Sequence, residues 1–172
     1  MNDPIVTMFK SVFDTENPHF VPLSVALDRI KTGKNADTIE HVRAGDKRRK
    51  NDLPVVLFSG KFNRRADVDL VEHNGLIICD FDHVDVDKTK QSLSNDDVVI
   101  ACWTSPSGDG VKALVNVENP GKHKEHFSAM IEHFRDVHQL ELDPSGRNIS
   151  RACYESYDPD IIVKTVSEKF SP

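Results

Sequence analysis

The chain has 172 residues, a net charge of −6, and 38% hydrophobic against 29% charged residues. That length suits one domain with a real core, and the acidity speaks against a uniformly basic coat for nucleic acid. No apolar run approaches the ~20 residues that cross a bilayer, and no charged-then-apolar leader opens the chain.

In chain order, the pattern predicts short helices at Leu23–Lys31 and Thr38–Arg43 and a strand at Val55–Phe58. These form an N-terminal α/β extension, residues 1–74, of a single domain spanning 1–172. A more regular core follows over 75–160. It reads strand Leu76–Asp80, helix Asp87–Leu93, strand Val98–Thr104, strand Val111–Val117, helix Lys122–His138 and strand Arg151–Ser156. The order β-α-β-β-α-β is the split βαβ, or ferredoxin-like, arrangement of an α+β fold. Phe127, Met130, Ile131 and Phe134 recur at helical spacing and make the stripe that packs on the sheet. Cys79, Cys102 and Cys153 fall in expected strands without a CxxC pair, as buried reduced thiols of a cytoplasmic protein do.

Leu76-Ile77-Ile78-Cys79 ends in Asp80-Phe81-Asp82. Alternation along a strand places Asp80 and Asp82 on one side of the sheet. Two carboxylates so close repel unless a positive charge sits between them, and a hard divalent cation is the usual answer. The plain alternative is an acidic turn that Asp85 and Asp87 continue. In the βαββαβ order the first and third strands are antiparallel neighbours and the fourth flanks the first. Asp80, Asp82, Lys112, Asp143 and Arg151 then converge at one sheet edge. Asp143, ahead of Pro144, is a third carboxylate for a two-metal site or a turn residue bonding its own backbone.

Ser107-Gly108-Asp109-Gly110 reads as a hairpin whose backbone, with Ser107 and Lys112, would grip a phosphate. Arg151 is a salt-bridging strand residue or a bidentate triphosphate ligand. Basic residues bunch at Lys47-Arg48-Arg49-Lys50 and at Lys61, Arg64 and Arg65, either as solvated loops or facing phosphate.

A strand ending Asp-x-Asp, a Ser-Gly-x-Gly hairpin and a later Leu-Asp together resemble the archaeo-eukaryotic primase and primase-polymerase superfamily. From Leu57-Phe58-Ser59-Gly60 through Asp158-Pro159 the chain looks most like the N-terminal domain of VirE-type proteins of bacteria and mobile elements. The resemblance implies an RRM-like, palm-like core and a metal-dependent nucleotidyltransferase acting on a single-stranded DNA template in replication of a bacterial or mobile-element genome. It implies Mg2+ or Mn2+ at Asp80, Asp82 and Asp143, and a nucleoside triphosphate at Ser107, Gly108, Gly110, Lys112 and Arg151. Lys61, Arg64 and Arg65 would steer the template. Lys112 stands where the superfamily usually has a histidine. The alternative is therefore a catalytically inactive module that binds nucleotide or nucleic acid for a helicase partner. No membrane partner is expected.

Overall fold

The computed structural model describes residues 3–172. The strands are β1 (Ile5–Phe9), β2 (His19–Pro22), β3 (Val55–Leu57), β4 (Gly60–Phe62), β5 (Leu70–His73), β6 (Leu76–Phe81), β7 (Val99–Thr104), β8 (Val111–Asn116), β9 (Cys153–Tyr154) and β10 (Ile162–Val163). The α-helices are α1 (Leu23–Thr32), α2 (Ala36–Arg43), α3 (Val86–Ser94) and α4 (His123–His138), with short 3-10 turns between elements. One antiparallel sheet has the order β2-β1-β3-β9, a second has β10-β7-β8-β6, and β4-β5 form a ribbon. The fold is thus mixed α/β with antiparallel sheets. Among the described residues no helix is long and apolar enough to cross a membrane.

The second sheet is apolar on both faces, and alternation sorts its side chains. Ile77, Cys79, Phe81, Val111, Ala113 and Val115 pack beneath α4, against Phe127, Met130 and Phe134 of the expected stripe. Leu76, Ile78, Ala101, Trp103 and Leu114 face the other way. There they share a core with Val6 and Met8 of β1, Val56 of β3 and Leu23, Ala26, Leu27 and Ile30 of α1. The N-terminal sheet, β2-β1-β3-β9, therefore packs over one face of the β10-β7-β8-β6 sheet. The three cysteines are free and buried.

The last strand of the expected βαββαβ order is absent from its place. Of Arg151–Ser156 only Cys153 and Tyr154 are strand, and they pair with β3 in the other sheet. The open edge of β6 meets a 3-10 turn, Pro144–Arg147, instead. The Asp143 N–H donates to the Asp80 carbonyl at 2.9 Å, but the ladder stops there. Pro144 has no N–H to continue it, and the Asp143 side chain takes the Ser145 N–H at 2.8 Å, curling the chain. Gly146 lets the turn lie flat, since a Cβ there would sit 3.0 Å from the Ile78 carbonyl and 2.6 Å from the Phe127 ring. The far edge of the sheet is taken by β10, against Ala101 and Cys102 of β7. The expected ferredoxin-like order is therefore not completed: a turn takes the place of its closing strand.

The segment after β9 straps the two sheets together through buried charge. Glu155 accepts from Arg29 of α1 at 2.7 Å, and Asp158 accepts from Lys90 of α3 at 2.6 Å. The Asp158 carboxylate also takes the N–H and hydroxyl of Thr104 at 2.8 and 2.9 Å. Burial raises its pKa, but these bonds outweigh that and hold the carboxyl below its ordinary value. Removing one partner of such a pair leaves an uncompensated buried charge. Asp158→Ala is expected to cost about 3–5 kcal/mol in urea unfolding, and Asp158→Asn clearly less.

Candidate functional site

On β6 and β8, Asp80 lies directly opposite Lys112, on the face turned toward the N-terminal sheet. Their side chains, 15% and 9% exposed, form a buried ion pair. Burial pulls the Lys112 pKa down, yet neighbouring Cys153 and Asp80 outweigh it, and the ammonium is held above the ordinary lysine value. Cys153 is itself pushed up to about 11 by burial and is neutral at pH 7. The Asp80 carboxylate is therefore what keeps Lys112 charged.

This pair floors a cleft of about 820 Å3 between the sheets. Six cationic side chains line it, Lys50, Arg65, Lys112, Lys124, Arg147 and Arg151, against the single acid Asp80. Lys50 reaches in from the turn Lys47–Asp52, its ammonium 5.2 Å from the Tyr154 ring centre. Arg65 donates to the Val12 carbonyl at 2.6 Å. Lys124 comes from the first turn of α4. Arg147 and Arg151 sit on a loop pinned between them. Ser150 donates its N–H to Asp67 at 3.0 Å, and the Ser59 hydroxyl donates to the Ile149 carbonyl at 2.5 Å. Three buried polar atoms of the wall, Asp80 Oδ1, Arg65 Nε and Ser145 Oγ, have no hydrogen-bond partner among the described residues. Buried polar groups are ordinarily satisfied, so their clustering here marks a place built for a polar occupant.

A histidine relay runs behind the cleft. The Gly75 N–H donates to His73 Nδ1 at 3.0 Å, so His73 carries its proton on Nε2 and donates it to His123 Nδ1 at 3.0 Å. His123 Nε2 then faces the Gly146 carbonyl at 3.4 Å, in the turn that carries Arg147. The relay works only with both rings neutral. Burial, then the neighbouring imidazoles of His123 and His126, lower the His73 pKa to about 4.

The structure brings together Asp80, Lys112, Arg151 and Arg65 among the expected residues. Asp143 is next to them but outside the lining, capping its own turn, with Arg151 3.7 Å away. Asp82 lies past the strand end and is exposed. The three acids do not meet as a ligand set. Among the described residues, the trio of acidic, imidazole or thiol donors within 4.8 Å of one another is elsewhere. Lys112 places a positive charge against Asp80. Ser107, Gly108 and Gly110 do not line the cleft. Gly108, at φ +83, lies under the Arg43 side chain, Ser107 bonds Ser105, and Gly110 abuts the Phe81 carbonyl. Lys61 is paired with Glu72 at 2.7 Å, and Arg64 with Asp69 at 3.5 Å, so neither joins Arg65. Lys124 and Arg147 carried no signal in the sequence, while Lys50 closed a basic run already visible there.

Two outcomes follow. Asp80→Ala strands the buried Lys112 ammonium, so it is expected to lower stability by about 3–5 kcal/mol in chemical unfolding, with Asp80→Asn milder. For His73 the folded pKa lies below the ordinary 6.5, so the unfolded chain binds the proton more readily. Its contribution is complete above pH 6.5 and is lost as pH falls toward 4. Thermal midpoints measured across that window should drop for the native chain and drop less for His73→Gln.

The profile of the family described as "BT4734-like, N-terminal domain" matches residues 48–162. The match brings neither a primase nor a VirE-type protein with it, and so overturns the resemblance to the primase-polymerase superfamily and to VirE-type domains. No curated protein and no solved structure matches the chain. Every polar residue of the cleft wall falls inside the matched segment, which spans more than half of the sequence. The chain belongs to the BT4734-like N-terminal domain family.

Proposed function

We propose that this domain binds nucleotide and single-stranded nucleic acid through their phosphates, in the cleft between the sheets. One observation carries the reading: six cations surround a single cleft in a chain whose net charge is −6. Basic residues gathered into one groove of an acidic protein focus the field there and repel polyanions elsewhere. Arg151 and Arg147 offer planar forks suited to phosphate oxygens, and Lys50 and Lys124 offer point charges. Tyr154, at the same wall, offers a face for a base. The buried, unpaired thiols of Cys79, Cys102 and Cys153 fit a cytoplasmic setting for this reading.

Metal-dependent nucleotidyl transfer is a second reading, favoured by the unpartnered Asp80 Oδ1 and by the backbone bond that keeps Asp143 beside Asp80. Asp80 and Asp143 would be the metal-holding acids in it, and exposed Asp82 would not. Incubation with a single-stranded template, labelled nucleoside triphosphate and Mg2+ or Mn2+ decides it. Extension that Asp143→Asn abolishes supports transfer, and its absence leaves a binding module.

For the primary reading, binding of a labelled single-stranded oligonucleotide should weaken steeply with salt. Lys124→Ala, Arg147→Ala and Arg151→Ala should each weaken it about tenfold and lower the logarithmic salt slope by about 0.7. Unchanged affinity in the triple variant would overturn the proposal. ATP competing at the same residues would place nucleotide in the same cleft.

A further inference from the structure

We propose that Asp96, His133 and His138 form a binding site for a divalent transition-metal ion of the zinc class, at the opposite end of α4 from the cleft. The two imidazoles come from the last turns of α4, and the carboxylate from the bend between α3 and β7. The Nε2 atoms of His133 and His138 each lie 2.7 Å from the same oxygen, Asp96 Oδ2. The three donor atoms all fall within 4.8 Å of one another. Two imidazoles and a carboxylate are a donor set for a borderline-soft divalent ion, with a fourth position left for water.

The geometry needs little adjustment. Ligand atoms ~2.0–2.2 Å from a tetrahedral zinc lie ~3.3 Å from one another, so each imidazole has to draw back from the carboxylate oxygen by roughly half an ångström. Asp96 is held for this by its own bend, its Oδ1 taking the Val98 N–H at 3.2 Å. The Lys164 ammonium sits on the Asp96 main-chain carbonyl and leaves the carboxylate to the rings. His138 Nδ1 lies 2.7 Å from the Ser92 hydroxyl. On metal binding each ring carries its proton on Nδ1, and the Ser92 hydroxyl turns from donor to acceptor, the outer-shell partner that orients a ligating histidine.

Exposure is graded across the trio. Asp96 and His138 are 7% and 6% exposed, whereas His133 is 25% exposed. The site is therefore most accessible from the His133 side.

The test uses the full chain, treated with chelator and titrated with Zn2+ or Co2+ alone. One equivalent should bind, raise the thermal midpoint, and with Co2+ give the visible absorption of nitrogen- and oxygen-ligated, low-coordinate cobalt. His133→Gln, at the exposed corner, should weaken binding by roughly 100-fold, and Ser92→Ala by roughly tenfold. Asp96→Asn, which keeps the shape, should also lose the cobalt spectrum. Absence of stoichiometric binding by the native chain would reduce the trio to a hydrogen-bonded tie and overturn the proposal. Equal affinity in His133→Gln would place the metal on other histidines and overturn it as well. Far-ultraviolet dichroism of the metal-free variants separates lost ligation from lost fold.

Discussion

The register between β6 and β8 is the constraint on which the rest depends. Six consecutive pairs, from Leu76↔Asn116 to Phe81↔Val111, set it. Side chains alternate strictly along each strand, so a slip of β8 by one residue against β6 would turn all of its side chains to the other face. Val111, Ala113 and Val115 would leave α4, and Lys112 would turn into the hydrocarbon of Phe127 and Phe134. Burying an unpaired ammonium there is far costlier than losing a few methylenes. The ion pair of Asp80 with Lys112 is thus a register device as well as the floor of the cleft. It adds little net attraction, but it strongly penalises the wrong alignment.

Given that register, the cleft follows from what the N-terminal sheet does not cover. Apolar residues of both sheets meet over Ile78, Leu114 and Trp103, and contact ends at Asp80 and Lys112. Beyond that line the facing surfaces diverge, and polar loops fill the rim. The Pro144–Arg147 turn matters most, because it occupies the edge of β6 without pairing along it. A full fourth strand would have extended the sheet across this edge. A 3-10 turn brings Arg147 to the wall instead and leaves Ser145 Oγ unpartnered.

Much of this was legible in the sequence, for a specific reason. The helical stripe of α4 and the alternation of Val111, Ala113 and Val115 are periodic, and periodicity reports burial directly. From them the meeting of Asp80 with Lys112 follows. Of the N-terminal sheet only β3 was legible, because β1 and β2 are short, and the ribbon of β4 and β5 carries Lys61 and Glu72 with little apolar repeat. The fourth strand was misplaced because Arg151–Ser156 has strand composition, while its partner is chosen by the Asp143–Pro144 turn upstream. The glycine hairpin joins β7 to β8 as expected, but it stands apart from the cleft. Gly108 and Gly110 answer steric needs against Arg43 and Phe81, so they say nothing about a phosphate. Lys124 and Arg147 were invisible because nothing local distinguishes a surface lysine from one that packing brings to a cleft.

Helix α4 joins the two ends of the molecule. Its 16 residues span about 24 Å, with Lys124 at the cleft and His133 and His138 toward the other terminus. Aligned peptide dipoles leave partial positive charge at the first turn and partial negative charge at the last. An anion in the cleft and a cation beside Asp96 each lie at the end of α4 that favours them. The same helix buries Phe127, Met130 and Phe134 without a gap between these ends. A packed core of that kind has low compressibility and transmits strain. The two ends are therefore coupled chiefly through the stability of α4, so that whatever fastens its last turn also steadies His123, the relay to Gly146, and the loop that carries Arg147.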